Sequence, residues 1–486
     1  MERRIAIIGS GFSGLCLGIQ LKQAGLDSFT IFEKSDRIGG TWRENRYPGS
    51  CCDLPSMAYC FSFEQKTDWS RKWSPAPEIL AYLEHCVAKY GLGPHLRLNT
   101  EIAHARFDGE AGVWLLRTGG GEEITADVLV SGVGQLHRPY TPEIPGLDRF
   151  AGERFHSARW NHDYDLEGKT VAVIGNAASA IQFIPSVAKQ VKQLYVLQRS
   201  ANWMLPRNDR AFMQTEKWLF RHVPFMARLY RWRIWLRQEM MFPIFIGARR
   251  MARRAREMAL AHMHAVISDP DLRQDLTPDY PIGGKRILIS DNYYQTLVRD
   301  NVEVVNGGID HLTEDAVVGR DGQVRAVDAV ILGTGFRSTE FLVPMSVEGL
   351  NGRRLEQDWK DGAEAYFGLT VPGFPNFFMM YGPNTNLGHN SIIFMIECQT
   401  QYIISCVQQI VARDLKYLDL RQEVMDAFNA KLRTELARTA WAETGKSWYK
   451  NEAGKITNNW SGSTLRYWWQ TRKVDLEAYQ QVSASG

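Results

Sequence analysis

The stretch IAIIGSGFSGLCLGIQLKQAGLDSFTIFE, residues 5–33, decides the fold. Its apolar run Ile5–Ile8 ends at Gly9, residues 14–24 have apolar side chains at helical spacing, and Phe29–Phe32 is a second short apolar run. A short apolar run before glycine predicts a strand, and i, i+3, i+4 spacing predicts a helix. The stretch therefore predicts a β-α-β unit.

The turn of this unit carries the motif G-x-G-x-x-G. The motif is formed by Gly9, Gly11 and Gly14, and Glu33 follows 19 positions after Gly14. Such glycines allow a tight turn and close approach to a pyrophosphate at the helix N-terminus, while the acid accepts hydrogen bonds from a ribose. FAD and NAD both fit this pattern. The cofactor-binding residues predicted here are Gly9, Gly11, Phe12, Ser13, Gly14, Glu33 and Lys34.

The segment GGTWRENRYPGSCCD, residues 39–53, favours FAD. Flavoproteins with two dinucleotide-binding domains commonly have a glycine pair soon after the ribose-binding acid, where the backbone passes close to the flavin. A plain surface loop would not require Trp42, Tyr47 and Asp53 as well. We predict cofactor contacts from Gly40, Thr41, Trp42, Asp53 and Tyr59.

A second unit of the same kind begins at residue 170. A strand at 170–174, Gly175, a helix at 178–188 and a strand at 194–197 repeat the first pattern 166 positions later. Alanine replaces the second and third glycines of the motif, and Arg199 and Ser200 stand where an acid would bind a ribose. A guanidinium and a hydroxyl suit a 2′-phosphate, so we predict NADPH. The predicted binding residues are Gly175, Asn176, Ala177, Ser179, Gln182, Arg199 and Ser200.

These units predict an α/β fold with two Rossmann-like dinucleotide-binding domains, for FAD and NADPH, and a helical insertion in the second. Apolar runs at 128–132 and 330–335 suit the closing strands, and the proline-rich residues 137–146 suit an interdomain linker. A second crossing is expected near residues 336–344. The predicted bounds are 1–140 for the first part of the FAD domain, 141–200 and 281–338 for the NADP domain, 201–280 for the insertion, and 339–486 for the return to the FAD domain and a C-terminal segment.

Composition limits the class of protein. A net charge of +3, from 57 basic and 54 acidic residues, is too small to indicate nucleic acid as the main partner. Seven cysteines without a C-x-x-C pair are typical of a reducing compartment, here the cytoplasm, and argue against disulfides and a zinc site; we expect no metal. No apolar run approaches about 20 residues, so no spanning helix is expected.

The helical insertion is strongly basic. Residues 201–256 contain about ten more basic than acidic residues, together with many Trp and Met. Two interpretations stay open for this segment: an amphipathic surface that lies on a membrane, or a lid with a solvated arginine face.

Two further motifs carry a family resemblance. The pattern F-x-G-x-x-x-H-x-x-x-W-[P/D] is matched except at its last position, where Asn161 stands, and G-G-x-W-x-x-x-x-Y-P-G-x-x-x-D is matched in full. With these motifs the sequence resembles the Baeyer-Villiger monooxygenases, which are class B flavoprotein monooxygenases. The matching residues are Phe150, Gly152, His156 and Trp160, and Gly39, Gly40, Trp42, Tyr47, Pro48, Gly49 and Asp53.

The resemblance implies roles for particular residues. Arg286 falls on the active-site arginine of the family and Asp53 on the aspartate that orients it. Lys285 falls on the residue that helps to bind the 2′-phosphate, and Trp448 on a tryptophan that closes over the nicotinamide cofactor. We expect His156 to be a packing residue that transmits cofactor binding, not an acid-base catalyst.

The resemblance also implies a reaction. NADPH reduces FAD, O2 then gives a C4a-peroxyflavin, and attack on a ketone yields an ester or lactone. One alternative is a flavin-containing monooxygenase that oxygenates sulfides or amines, against which Trp160 and the complete 39–53 motif argue. A disulfide reductase would need a C-x-x-C or C-x-x-x-x-C pair, which the sequence lacks. A membrane-surface or binding protein with a vestigial nucleotide fold would depend on the basic insertion, and sedimentation with anionic vesicles discriminates it.

Overall fold

The structure, a computed structural model, describes residues 3–445 and 447–484. The strands of these residues, in chain order, are β1 Ile5–Ile8, β2 Phe29–Phe32, β3 Leu96–Arg97, β4 Ile102–Asp108, β5 Val113–Thr118, β6 Glu123–Ala126, β7 Val128–Ser131, β8 Glu153–His156, β9 Thr170–Ile174, β10 Gln193–Gln198, β11 Met204–Leu205, β12 Leu288–Ile289, β13 Val302–Asn306, β14 Ile309–Leu312, β15 Ala316–Gly319, β16 Val324–Ala326, β17 Ala329–Leu332, β18 Ser346–Glu348, β19 Phe377–Met379, β20 Leu415–Leu420 and β21 Tyr479–Ser483.

The α-helices of the same residues are α1 Phe12–Gln23, α2 Thr41–Glu44, α3 Ala76–Lys89, α4 Ala180–Val187, α5 Gln214–His222, α6 Met226–Glu239, α7 Arg249–His264, α8 Pro270–Asp275, α9 Tyr293–Leu297, α10 Leu355–Asp358, α11 Ile392–Ala412, α12 Gln422–Leu436, α13 Ala440–Glu443 and α14 Thr464–Thr471. The predicted helix starts at residues 14 and 178 were each wrong by two residues. Gly11 has an extended backbone and caps α1, so that helix begins at Phe12, while α4 begins only after Ser179.

Two parallel sheets with matching strand order organise the molecule. The first has the order β19-β7-β1-β2-β3 and the second β13-β10-β9-β17-β8, and every strand pair in both is parallel. In each sheet the first strand of a β-α-β unit lies between the second strand and the closing strand. This confirms the predicted α/β fold with two Rossmann-like units.

In both units, additional antiparallel strands are inserted at the same place in the chain, directly before the closing strand. The antiparallel strands β4, β5 and β6 precede closing strand β7, and the antiparallel sheet β14-β15-β16 precedes β17. After residue 339 the chain returns to the first unit, because β18 pairs with β4 and β19 pairs with β7. We propose the domain bounds predicted from the sequence.

The insertion is helical over α5, α6, α7 and α8, but it does not begin with a helix. Met204 and Leu205 form strand β11, which pairs in parallel with β12. Backbone hydrogen bonds from Leu288 N to Trp203 O (2.9 Å) and from Ser290 N to Leu205 O (3.1 Å) hold this pair together. The pairing fixes the chain directly after Lys285 and Arg286.

Across residues 3–445 and 447–484, no helix is both long enough and apolar enough to cross a bilayer.

Candidate active site

One cavity of about 2080 Å³ lies where the strands of both sheets end. Gly9 follows β1 and Glu33 follows β2 in the first unit, and Gly175 follows β9 and Arg199 follows β10 in the second; all four line this cavity. Ligands of open parallel sheets bind beyond the carboxyl ends of the strands. The geometry therefore defines a shared site between two dinucleotide-binding units.

The first unit has a turn that only glycine allows. A Cβ on Gly14 would lie 1.9 Å from the Gly9 carbonyl oxygen, and a Cβ on Gly9 would lie 2.7 Å from the Gly132 oxygen. Gly11 has open space beside it, with only the Gly40 Cα at 3.8 Å from its virtual Cβ. The start of α1 has no side-chain cap, so its first N–H groups are available to the pyrophosphate of FAD, which fits this cradle.

Glu33 is buried and held in place by its neighbours. Its carboxylate accepts hydrogen bonds from Ser10 N (3.1 Å), Ser10 Oγ (2.7 Å) and Ser35 N (3.1 Å), and Arg43 Nη1 lies 3.6 Å away. These contacts fix the acid at the end of β2, where the sequence predicted a ribose ligand. Lys34 follows it on the cavity wall.

The 39–53 segment closes over the same turn. Gly40 approaches Gly11 so closely that a Cβ on Gly40 would lie 3.3 Å from the Gly11 Cα. Thr41 begins α2, and Trp42 Nε1 donates to the Tyr59 hydroxyl at 3.2 Å. The structure thus brings Gly40, Thr41, Trp42 and Tyr59, all predicted flavin residues, onto one wall of the cavity.

The second unit presents two cations to the cavity. Lys285 Nζ donates to Ser200 Oγ at 3.0 Å and lies 4.4 Å from the centre of the Tyr280 ring, and Arg199 is exposed beside them. Burial and the nearby positive charge of Arg199 lower the pKa of Lys285. Two cations that repel each other next to a hydroxyl form a site for an anion, and the 2′-phosphate of NADPH fits it.

The degraded glycine motif of this unit is stabilised by amides. Asn176 Nδ2 donates to Gln198 Oε1 (2.8 Å) and to the Ser200 carbonyl (3.0 Å), which ties the turn to the end of β10. Ala177 and Ser179 line the cavity, and Ser179 precedes α4 without capping it through its side chain.

The side chain of Gln182, which was predicted to bind the cofactor, forms hydrogen bonds with the first unit. Its Oε1 accepts from the Tyr47 hydroxyl (3.0 Å) and Cys51 N (3.2 Å), and its Nε2 donates to the Cys51 carbonyl (3.1 Å). Gln182 also lines the cavity, so a cofactor contact stays a prediction. No sequence pattern indicates that Gln182 connects the two units.

Arg286 and Asp53 meet although 233 positions separate them. The guanidinium Nη2 donates to the Asp53 carboxylate, and both side chains are 32% exposed to the cavity. Burial alone would lower the pKa of Arg286, but the negative charge of Asp53 has the larger effect, so the pKa of Arg286 is raised. Arg286 therefore carries a fixed positive charge at the place where the two units face each other.

Sequence reasoning missed three residues near this pair. Burial raises the pKa of Tyr449 to about 12 and also raises that of Tyr381, while the charge of Arg286 partly offsets both shifts. Arg207 Nη1 lies 3.0 Å from Cys51 Sγ and lines the cavity. Tyr381 and Tyr449 stand in the family-like segments YGPNTNLGHNS and SWYKNEAGKITNNW, which could have indicated them; Arg207 has no such signal.

Trp448 also lines the cavity. Its carbonyl accepts hydrogen bonds from Ser338 Oγ (2.8 Å) and Asn458 Nδ2 (2.8 Å), so the backbone of this residue is fixed. This position agrees with the expected contact to a nicotinamide cofactor, which stays a prediction.

The residues of the F-x-G-x-x-x-H-x-x-x-W pattern lie in and around β8, the edge strand of the second sheet. His156 ends β8, is buried, and accepts from Ala158 N at 3.0 Å; burial lowers its pKa to about 4. Trp160 packs edge-on against Phe155 and Phe183. Asn161, the departure from the family pattern, accepts from Asp163 N and donates to Glu153, so it makes the turn itself. This placement agrees with a packing role for His156.

Two dinucleotide-binding units around an arginine that is paired with a carboxylate define a flavoprotein oxidoreductase that uses two cofactors. Comparison with known proteins gives the family. The profile of the flavin-binding monooxygenase-like family matches residues 2–350. A Baeyer-Villiger monooxygenase of Pseudomonas aeruginosa is 44% identical over 98% of this chain and 91% of its own length.

Solved structures agree. A steroid monooxygenase bound to NADP superposes with a TM-score of 0.87 at 29% identity, over 100% of both chains. OTEMO in complex with FAD and NADP superposes with a TM-score of 0.87 at 25% identity, over 99% of both chains. The chain belongs to the flavin-binding monooxygenase-like family. This confirms the predicted flavoprotein monooxygenase with FAD and NADP(H) as cofactors, and the resemblance to Baeyer-Villiger monooxygenases.

Proposed function

We propose that this enzyme inserts one oxygen atom of O2 next to the carbonyl of an apolar ketone, and that Arg286 and Asp53 are the residues that promote this step. The overall balance is ketone, O2, NADPH and a proton giving ester or lactone, NADP⁺ and water. Bound FAD, reduced by NADPH, supplies the oxygen-activating chemistry. The ion pair of Arg286 with Asp53 at the junction of the two units carries the proposal.

Arg286 would stabilise negative charge on oxygen. A ketone carbonyl that is attacked by an oxygen nucleophile develops an oxyanion, and a preorganised cation lowers the energy of that state. Because Asp53 takes Nη2, the remaining donors of the planar guanidinium are free to reach the reacting oxygen. Asp53 is thus a positioning residue for Arg286.

The cofactor residues have separate tasks. The turn at Gly9, Gly11 and Gly14 with Glu33 would hold FAD, while Arg199, Ser200 and Lys285 would bind the 2′-phosphate of NADPH and Trp448 would cover its nicotinamide. The cavity lining also includes the apolar residues Phe245 and Leu387. An apolar wall excludes water and favours an apolar substrate.

Sulfide oxygenation is the second candidate function, and the same cavity could admit an apolar sulfide. The Arg286–Asp53 pair favours the ketone, because an oxyanion on the substrate forms only in attack on a carbonyl.

All seven cysteines are free thiols, which supports the cytoplasm as the compartment.

The test is product identification with a ketone and sulfide panel and NADPH, for wild type and Arg286→Ala. We expect wild type to form esters, and the variant to lose ester formation by about 10²- to 10³-fold while FAD stays bound. Lysine should rescue poorly, since a point charge cannot pair with Asp53 and reach an oxyanion together.

Arg337→Ala is the matched control, because Arg337 lines the same cavity but pairs with Glu340; it should keep ester formation. Full ester formation by Arg286→Ala, or sulfoxides with no ester from wild type, would overturn the proposal.

A further inference from the structure

Helix α6 leaves a row of large apolar side chains in solvent. Leu229, Trp232 and Leu236 of α6 and Met240, directly after its last residue, are 59%, 55%, 36% and 57% exposed and are here called the α6 stripe. At about 100° of rotation per residue they fall within an arc of about 80° on the helix. Phe225, directly before the helix, is 73% exposed. A contiguous apolar face of this kind marks an interaction site, unlike single exposed apolar residues.

Side chains of α6 outside the stripe hold the helix against the rest of the protein. Arg231 Nη1 donates to the Cys60 carbonyl (2.7 Å), and Trp235 Nε1 donates to Thr464 Oγ1 (3.1 Å). At the C-terminal end, Glu239 accepts hydrogen bonds from Thr464 N (2.8 Å) and Thr464 Oγ1 (2.7 Å). The stripe is therefore the outward side of an anchored helix.

Arginines border the stripe on both sides. On the same helical rotation, Arg228 lies on one side of it and Arg233 and Arg237 on the other, and all three are exposed. Residues 201–256 contain 13 basic and 3 acidic residues, whereas the whole chain has a net charge of only +3. The positive charge is thus concentrated on the insertion, and the rest of the chain is net negative.

This combination selects the kind of partner. A helix with Trp and Leu on one strip and arginines along its borders is suited to the interface of an anionic bilayer, where the rings enter the headgroup layer and the guanidinium groups meet phosphates. A second copy of the chain on the same face would bring the arginines of both copies together, which their repulsion disfavours.

The stripe also lies next to the active site. Arg233, Ile234, Arg237 and Gln238 of α6 line the catalytic cavity. The helix thus forms a wall between the cavity and the exposed apolar face. An apolar molecule that leaves a bilayer under α6 would meet the cavity on the other side of one helix.

We propose that the α6 stripe docks this enzyme on the surface of an anionic phospholipid bilayer, with α6 lying in the interface and no segment crossing it. The docked enzyme takes apolar ketones that are dissolved in the bilayer. This second part rests on the proposed function, whereas the docking itself does not.

Vesicle sedimentation of the full-length, FAD-loaded protein tests the docking. Wild type is expected to sediment with vesicles of equal parts phosphatidylcholine and phosphatidylglycerol, and to do so less as salt is raised. The double variant Trp232→Ser, Leu236→Ser should bind at least about tenfold more weakly, because bound apolar area sets the affinity. Neither residue lines the cavity.

The matched control is Val324→Ser, Val411→Ser, which removes two exposed apolar side chains elsewhere (67% and 42% exposed) and should bind as wild type does. Equal binding by wild type and the Trp232, Leu236 double variant would overturn the docking proposal. The docking proposal would also be overturned if wild type does not bind vesicles but forms a dimer and the double variant does not. The stripe would then be an interface between two copies of this chain.

Turnover separates the two parts. The double variant is expected to oxidise a short, water-soluble ketone at the wild-type rate, and to lose turnover of a long-chain ketone supplied in the anionic vesicles. Equal turnover of the long-chain ketone by both proteins would overturn delivery from the bilayer. Vesicle binding without oxygenation of any ketone would refute the proposed function and leave the docking intact.

Discussion

At the scale of single residues, charge decides which groups act in this site. Lys285 and Arg199 stand close enough that the pKa of Lys285 is lowered, by burial first and by Arg199 second. Arg286 has a carboxylate partner and its pKa is raised. The first pair therefore has two neighbouring cations, which we propose bind a phosphate, whereas the second is a paired cation, which we propose stabilises a developing oxyanion.

Arg199→Ala should raise the KM for NADPH about ten- to a hundredfold and barely change the KM for NADH, since the loss of a charge-assisted hydrogen bond costs about 1.5 to 3 kcal/mol. Steady-state kinetics with both cofactors measures this. Lys192→Ala, an exposed cation just before β10, is the control and should change neither value. An equal effect of Arg199→Ala on both cofactors would show that Arg199 does not contact the phosphate.

At the scale of elements, the Glu239 carboxylate of α6 bonds both to α14 and to the loop before α11. Glu239 accepts from Thr464 and from Asn390 Nδ2 (2.8 Å), and His389 Nε2 lies 3.4 Å away. Burial alone would raise its pKa, but these partners outweigh burial and lower the pKa of Glu239 to about 2. The charged form of Glu239 therefore stabilises the folded state.

Because this pKa is lower in the folded chain, the stabilisation is complete above the unfolded pKa of about 4.3 and is lost as the pH falls toward 2. Glu239→Gln should be less stable than wild type at neutral pH by about 1 to 3 kcal/mol, and the difference should shrink below about pH 4.5. Thermal unfolding followed by flavin fluorescence measures it. Glu257→Gln, at an exposed position on α7, is the control. If the difference in stability between wild type and Glu239→Gln stays constant from pH 6 to pH 3, the lowered pKa of Glu239 is not the cause.

At the scale of the whole molecule, the function depends on how the two units are joined. Gln182 of α4 bonds to Tyr47 and Cys51 of the 39–53 segment, and the centroids of the Tyr47 and Phe183 rings lie 5.9 Å apart. The same segment continues to Asp53. The joint thus fixes the position from which Asp53 pairs with Arg286.

Gln182→Ala should slow flavin reduction by NADPH at least about tenfold, since three hydrogen bonds worth about 0.5 to 1.5 kcal/mol each are lost across the joint. FAD content and reduction by dithionite should stay as in wild type, because neither needs the second unit. Stopped-flow absorbance measures both rates, with Gln190→Ala, exposed just beyond α4, as control. A wild-type rate with NADPH would show that Gln182 does not set the arrangement of the units.

The sequence by itself determined the parts of this protein whose signals are local. Strand, glycine turn, helix and acid lie within residues 5–33, so the fold class and the flavin turn could be predicted from periodicity and steric need, and the weaker unit at Gly175 from its likeness to the first. The roles of Arg286 and Asp53 came only from the family resemblance, since no local pattern relates residues 233 positions apart. Tertiary structure alone decided that Gln182 joins the units, that Tyr381 and Tyr449 lie by Arg286, and that the apolar stripe of α6 faces outward. These features depend on how separate elements pack, and packing is settled by long-range contacts that the sequence pattern does not record.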